Sequence, residues 1–153
     1  MKLKTTNLVY IFNKNGQILL AMKKRGFGAG KWNAPGGKAE EEETAEGAAS
    51  REVLEEVGLE VQDLEDRGTI EFLYEDPDAT TSACRIFVTH TFHGEPVETE
   101  EMRPEWFSID AIPWDTMWES DRIWLPELLV GQTVNYRCYF DNDQKFIRHE
   151  RRT

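Results

Sequence analysis

The sequence predicts a layered α/β/α domain on a mixed β-sheet, one domain spanning residues 1–153. Three observations predict it. Strand-like apolar runs stand in pairs near both ends of the chain. A helix of about thirteen residues, with start and stop signals at its two ends, follows the first pair. A second helical stretch precedes the last pair, so helices and strands come in an order that layers them.

Leu8-Val9-Tyr10-Ile11-Phe12 and Gln17-Ile18-Leu19-Leu20-Ala21-Met22 flank Asn13-Lys14-Asn15-Gly16, and Asn-Gly at the tip predicts an opening β-hairpin. Lys23 to Asn33 contains Gly26, Gly28 and Gly30, whose spacing fits neither a P-loop nor a dinucleotide-binding turn. It reads as a flexible loop leading through a short strand to Pro35-Gly36-Gly37. Thr44 is suited to cap the first helix, Glu46 to its positive end, and Gly58 to its left-handed stop. Ala45, Ala48, Ala49, Val53 and Val57 form its apolar stripe. Gly68–Tyr74 and Ala83–Phe92 read as strands around the polar turn Glu75–Thr80, and Trp106-Phe107 as a further short strand. Ile123–Val130 has helical spacing. Pro126 requires that this helix start near Leu125 or be irregular in its first turn, and Gly131 ends it. Asn135–Phe140 and Lys145–His149 form the last hairpin.

Composition narrows the function classes. With 39% hydrophobic residues the chain can bury a substantial core, and 31% charged residues with eleven glycines do not describe a disordered chain. No apolar run is long enough to cross a bilayer, and the N-terminus leads into an amphipathic strand, not a signal peptide, so a cytoplasmic protein is expected. Cys84 and Cys138 are too few for a disulfide framework and are expected as buried or strand-borne thiols. A net charge of −11 argues against non-specific binding to duplex nucleic acid, which relies on basic patches. An acidic chain binds a polyphosphate only when divalent metal and a few local cations reverse the field at the site.

The chemistry concentrates between Gly37 and Leu59. On the predicted helix Glu52, Glu55 and Glu56 fall within roughly one quarter of the circumference, beside the apolar stripe. Three carboxylates so placed need raised pKa values or a cation, and an oxygen-only donor set favours Mg²⁺ or Mn²⁺. Taken alone, Glu-x-x-Glu-Glu is a solvated acidic helix face. Here it is fixed in the pattern G-x₅-E-x₇-R-E-V-x-E-E-x-G-L, with Gly37, Glu43, Arg51 and Gly58 at the set positions.

That pattern resembles the signature of the Nudix hydrolases, which act on a nucleoside diphosphate linked to another group. Met22–Asn33, Glu101-Met102-Arg103-Pro104, Trp106-Phe107 and Met117-Trp118 are similar to stretches of the mammalian oxidised-purine nucleoside triphosphatase branch, across roughly residues 5–150. The resemblance implies a Nudix α/β/α sandwich and Mg²⁺-dependent hydrolysis of purine nucleoside triphosphates such as 8-oxo-dGTP and 2-hydroxy-dATP. The products would be a nucleoside monophosphate and pyrophosphate, in sanitation of the nucleotide pool. It implies Glu52, Glu55 and Glu56 as metal-binding and catalytic carboxylates, with Arg51 holding them. Gly36 contributes a carbonyl to the metal in this reading, and Glu101 is either a further metal ligand or an exposed loop acid.

Lys23 would meet phosphate or sugar, unless it is only the polar end of a strand. Asn33 offers a donor and an acceptor to a base edge, and Phe27, Phe72, Met102 and Trp118 offer apolar or stacking walls. The family carries two adjacent aspartates after the tryptophan, whereas here Ser120 stands in the first place and Asp121 in the second. Pro35 after Ala34 is a second departure. A monomer with a small nucleotide substrate, no duplex nucleic acid and no membrane is expected. Two alternatives stay open: another nucleotide substrate, such as ADP-ribose, a dinucleoside polyphosphate or an unmodified dNTP, and a non-catalytic nucleotide-binding module.

Overall fold

A computed structural model describes residues 2–152. Among them the chain runs β1 (Lys2–Ile11), β2 (Gln17–Lys23), β3 (Trp32–Asn33), α1 (Ala45–Val57), β4 (Glu60–Gln62), β5 (Glu65–Tyr74) and β6 (Thr80–Thr89). It continues through β7 (Thr91–His93), β8 (Met102–Ser108), α2 (Asp121–Leu129), β9 (Val134–Phe140) and β10 (Phe146–Arg151). A five-stranded sheet has the order β1-β6-β5-β9-β10, a three-stranded sheet β3-β2-β8, and β4 pairs with β7. The large sheet is mixed: β1 with β6 and β5 with β9 are parallel, while β5 with β6 and β9 with β10 are antiparallel.

Apolar runs with little alternation at β1 and β2 have a structural cause, because both faces of these strands are covered. Val9, Ile11, Leu19 and Ala21 point into a core with Ala49, Val53 and Val57 of α1. Tyr10, Ile18 and Leu20 point the other way, into a core with Trp124, Leu125 and Leu128 of α2. The result is the expected α/β/α layering. Cys84 and Cys138 are buried thiols on β6 and β9.

The first helix forms as its sequence signals require. Thr44 Oγ1 accepts from Gly47 N at 3.0 Å, and Gly58, at φ 77°, ends the helix by donating to Leu54 O at 3.0 Å.

Four local expectations are corrected. The opening hairpin keeps its turn, with Gly16 N donating to Asn13 O at 3.1 Å, but β1 and β2 diverge into different sheets after the Phe12–Ile18 bridge. The edge of β1 that a hairpin partner needs is occupied: Asn7 N donates to Gly37 O at 2.9 Å and Val9 N to Pro35 O at 2.8 Å. The expected strand Ala83–Phe92 breaks at His90. There the Thr89 hydroxyl donates to Gln62 O and accepts from Thr91 N, and β7 turns away to pair with β4. The second helix begins at Asp121, not near Leu125, and its first turn is irregular as the other alternative has it, with Arg122 N donating to Glu119 O at 3.3 Å and Ile123 N to Ser120 O at 3.0 Å; Pro126 sits inside it. Pro126 and Arg122, whose carbonyl loses its intrahelical donor, are both on the exposed side, where solvent is free to satisfy that carbonyl. The short strand at Trp106-Phe107 extends over Met102–Ser108, at the edge of its sheet, which is where Pro104 is tolerated.

Candidate functional site

The segment that covers β1 also builds the acidic end of the site. A Cβ on Gly36 would lie 2.1 Å from Asn7 O, so only glycine lets loop and strand meet here, and one on Gly37 would lie 2.4 Å from the Glu52 carboxyl carbon and displace that carboxylate. Gly36 N donates to Glu56 Oε1 at 2.9 Å. Burial pushes the Glu56 carboxyl up to about 7; Glu52 and Glu101 raise it too, while the Gly36 hydrogen bond and Lys23 oppose the rise.

Arg51 organises the other acids. It forks onto Glu43, with Nε to Oε2 at 2.7 Å and Nη2 to Oε1 at 2.9 Å. Its Nη1 reaches Glu52 Oε1 at 3.0 Å and Glu55 Oε2 at 3.2 Å, and Nη2 reaches Lys38 O at 3.2 Å. The Arg51 hydrogen bonds hold Glu43 down at about 2 and raise the guanidinium's own pKa. The spacing of Glu43 and Arg51 in the sequence thus becomes a two-toothed clamp between the approach loop and the helix. Glu101 lies apart, exposed and paired with Arg25 Nη2 at 2.7 Å, which lowers its pKa. Its charge still reaches Glu56.

Among the described residues no group of three or more His, Cys, Asp or Glu is gathered closely enough to hold a metal ion. Glu52 and Glu55 are both bonded to Arg51 Nη1, and Glu56 is bonded to Gly36 N. Their chemistry nonetheless fits a hard divalent cation: every donor is an oxygen, and the glycine cradle brings the Gly36–Gly37 backbone and the Glu52 and Glu56 carboxylates together.

From Gly36, Gly37 and Glu56 a cavity of about 460 Å³ runs along the sheet to the first turn of α2. Lys23, Phe27, Asn33, Phe72, Met102, Trp118, Ser120 and Asp121 all line it, whereas Arg51, Glu52, Glu55 and Glu101 do not. Asn33 Oδ1 accepts from Ala34 N at 2.9 Å, so its Nδ2 group is the part left to donate. Phe27 stacks on Trp118 with ring centroids 5.2 Å apart, and Phe27 is 56% exposed at the mouth. Met102 is also part of the core under α1.

The far end is buried and underpartnered. Ser120 is 0% and Asp121 3% exposed, and neither Ser120 Oγ nor Asp121 Oδ2 has a hydrogen-bond partner. Trp124 Nε1, one helical turn on, and the hydroxyl of Tyr10, whose ring packs edge-on against Trp124 at 5.8 Å, are also buried and unpartnered. Burial pushes the Asp121 carboxyl up to about 7, against the pull of a backbone hydrogen bond at Trp118 and the charge of Lys31. A buried polar atom without a partner costs about 1–3 kcal/mol, a cost that a ligand or water making the bond removes.

Sequence reasoning missed Lys31, Asn7 and Tyr74 as lining residues. Lys31 lay in view, next to Trp32 in the glycine loop. Asn7 carries no signal of its own, because its place depends on the loop that pairs with β1.

No helix among the described residues is long and apolar enough to cross a membrane. The NUDIX domain family model matches residues 1–128. An oxidized purine nucleoside triphosphate hydrolase of Danio rerio is 47% identical over 135 residues, covering 88% of this chain and 82% of the relative. One from Mus musculus is 49% identical over 113 residues, covering 74% and 72%. The fold is similar to that of a MutT protein from Bacillus halodurans, with a TM-score of 0.86 at 22% identity over 96% of each chain. A MutT Nudix hydrolase from Burkholderia pseudomallei has a TM-score of 0.71 at 27% identity, covering 80% of this chain and 95% of that one.

Proposed function

Because the chain belongs to the Nudix hydrolase family, we propose that it hydrolyses oxidised purine nucleoside triphosphates such as 8-oxo-dGTP and 2-hydroxy-dATP to the monophosphate and pyrophosphate, with Mg²⁺. One observation carries the substrate reading. A single cavity joins Gly36 and Glu56 of the acidic end to the buried, unpartnered Ser120 and Asp121. Such a cavity offers phosphates one end and a base edge the other, and two relatives named for oxidised purine nucleotides share nearly half of their aligned residues with this chain.

In this reading Glu52, Glu55, Glu56 and the Gly36 carbonyl would hold the metal, with Glu101 within electrostatic reach of Glu56. Bound Mg²⁺ would neutralise phosphate oxygens and stabilise the leaving pyrophosphate. Arg51 keeps Glu52 and Glu55 on one side of the helix. Glu56 is the one of the three helix carboxylates that lines the cavity, which places it to orient the attacking water and take its proton. Water oxygen bonds to phosphorus, the α–β anhydride bond breaks, and the electron pair leaves on pyrophosphate. Lys23, on the cavity wall, supplies positive charge to the phosphates. Phe27, Phe72, Met102 and Trp118 exclude water from the base, while Asn33, Ser120 and Asp121 present hydrogen-bonding groups to its edge.

Turnover on a substrate panel tests this. With Mg²⁺, 8-oxo-dGTP should exceed dGTP in kcat/KM and yield monophosphate plus pyrophosphate, and millimolar Mg²⁺ should raise Tm by mass action. Faster hydrolysis of ADP-ribose or a dinucleoside polyphosphate would move the chain to another Nudix substrate. Nucleotide binding with no turnover on the panel would make it a binding module.

A further inference from the structure

The helix that carries the three glutamates is closed by a loop far along the chain, and one side chain of that loop has no role in the proposed reaction. The last carbonyls of an α-helix have no partner within it. In α1, Leu54 O accepts from Gly58 N, but Val57 O accepts from Val97 N at 2.9 Å and Glu56 O from the Thr99 hydroxyl at 3.3 Å. Thr99 is half-buried between the exposed residues Glu98 and Glu100. Its hydroxyl also accepts from Glu101 N at 3.2 Å and Met102 N at 3.1 Å, so its one donor and both lone pairs are engaged. Thr99 N donates to Met102 O at 2.9 Å and closes the turn. The other side of this turn is fixed to the glycine loop: Lys24 N donates to Glu101 O at 2.8 Å, Lys24 pairs with Glu98 and Arg25 with Glu101. One oxygen atom thus ties the backbone of Glu56 to the backbones of Glu101 and Met102.

We propose that Thr99 is a positioning residue of the acidic end, whose hydroxyl holds the loop acid Glu101 against the helix acid Glu56 so that both serve one divalent cation. The assignment rests on the Mg²⁺-dependent reading above. A carboxylate on an unanchored loop must be ordered when the cation binds, and the entropy of that ordering is lost from the affinity. The Thr99 bonds meet this cost on folding instead. Arg25, the partner Glu101 has now, forms an exposed pair that adds little stability, so exchanging it for a cation costs little.

The test is Mn²⁺ titration of the substrate-free protein by EPR, comparing Thr99→Val, which keeps the shape and removes the hydroxyl, with Thr99→Ser, which restores it. Thr99→Val should weaken Mn²⁺ binding about 5- to 10-fold, the scale of one or two lost hydrogen bonds, and Thr99→Ser should stay within about twofold of wild type. In a Glu101→Gln background Thr99→Val should add no further loss, the signature of a residue that acts through Glu101. Loss of a helix cap alone would lower Tm and leave Mn²⁺ affinity where it was. If Thr99→Val does not fold, hydrogen exchange of wild type decides: saturating Mg²⁺ should slow the Glu101 and Met102 amides, and unchanged exchange overturns the assignment. Wild-type Mn²⁺ affinity in folded Thr99→Val, or an equal loss in the Glu101→Gln background, also overturns it. A wild type that binds no Mn²⁺ removes the Mg²⁺ reading and this assignment together. None of these measurements uses a nucleotide, so they stand apart from the substrate panel.

Discussion

The two ends of the main cavity solve opposite electrostatic problems. At the acidic end charge is abundant and heavily paired: Arg51 alone bonds Glu43, Glu52, Glu55 and the Lys38 carbonyl. At the base end charge is scarce and polar groups are stranded, with Ser120 Oγ, Asp121 Oδ2, Trp124 Nε1 and Tyr10 OH all buried and unpartnered. The first end stands partly in water, where exposed ion pairs add little stability and geometry is their main yield. The second lies in a low dielectric, where each unmade hydrogen bond is expensive and a matching ligand is correspondingly favoured. Turnover should therefore be lost at one end and discrimination at the other.

The comparison breaks most visibly at the helix. Glu55→Gln and Glu56→Gln should each lower Mg²⁺-dependent turnover by ~10²-fold or more, the scale of a lost electrostatic contact to a transition state. Circular dichroism should show the fold retained. Near wild-type activity in a folded variant would remove that residue from the reaction.

At the opposite end, Asn33→Ala or Asp121→Ala should narrow the kcat/KM ratio of 8-oxo-dGTP to dGTP by about 10-fold or more, because a polar site rejects a mismatched base through its unpaired groups. Mg²⁺ dependence should be unchanged. If both variants keep the full preference, the base is read elsewhere.

Stability sharpens the contrast further. Asp121 has a folded pKa of about 7 and an unfolded value near 3.9. Between those pH values the folded chain holds the proton that the unfolded chain has lost, so stability falls as pH rises from about 4 to about 7 and then levels. At about 1.4 kcal/mol per pH unit, the loss reaches a few kcal/mol. Asp121→Asn removes this titration, so denaturant melts should show the variant gaining on wild type from pH 4.5 to pH 8. A constant difference across that range would contradict the raised carboxyl.

The smallest expected effect concerns the missing acid. Ser120→Asp should bring the activities on 8-oxo-dGTP and 2-hydroxy-dATP closer by a few-fold, because a second carboxyl widens the donor and acceptor combinations available. No change in their relative rates would show that Ser120 does not limit base choice.

These ends also differed in how far the sequence revealed them. The acidic end is written in one continuous stretch, and helical geometry with two caps was enough to place Thr44, Arg51, Glu52, Glu55, Glu56 and Gly58. The resemblance named Asn33, Trp118 and Asp121 as candidates for the base end. Spacing alone could not have done so, since they come from β3, the loop before α2, and α2 itself. Lys31 and Asn7 were missed as lining residues because their places depend on long-range neighbours, the Trp118 ring 5.1 Å from Lys31 Nζ for one and the Gly37 backbone for the other. The opening hairpin was misread for the same reason. Asn15-Gly16 correctly signals a turn, but a local turn signal is silent about which strand takes the edge of β1.

That edge has a consequence for solubility. The large sheet has two outer strands, and each is guarded by a different device. β10 presents the exposed side chains of Arg148, Glu150 and Arg151, charges that deter another extended chain from adding to it. β1 relies on the Pro35–Lys38 segment, which occupies the amides of Asn7 and Val9 and bridges Thr6 to Lys38. The same few residues that cradle Glu52 and Glu56 are thus a cap against edge-to-edge assembly. A substitution that lifts this segment would free two strand amides for self-association, so lost catalysis and aggregation would share one cause.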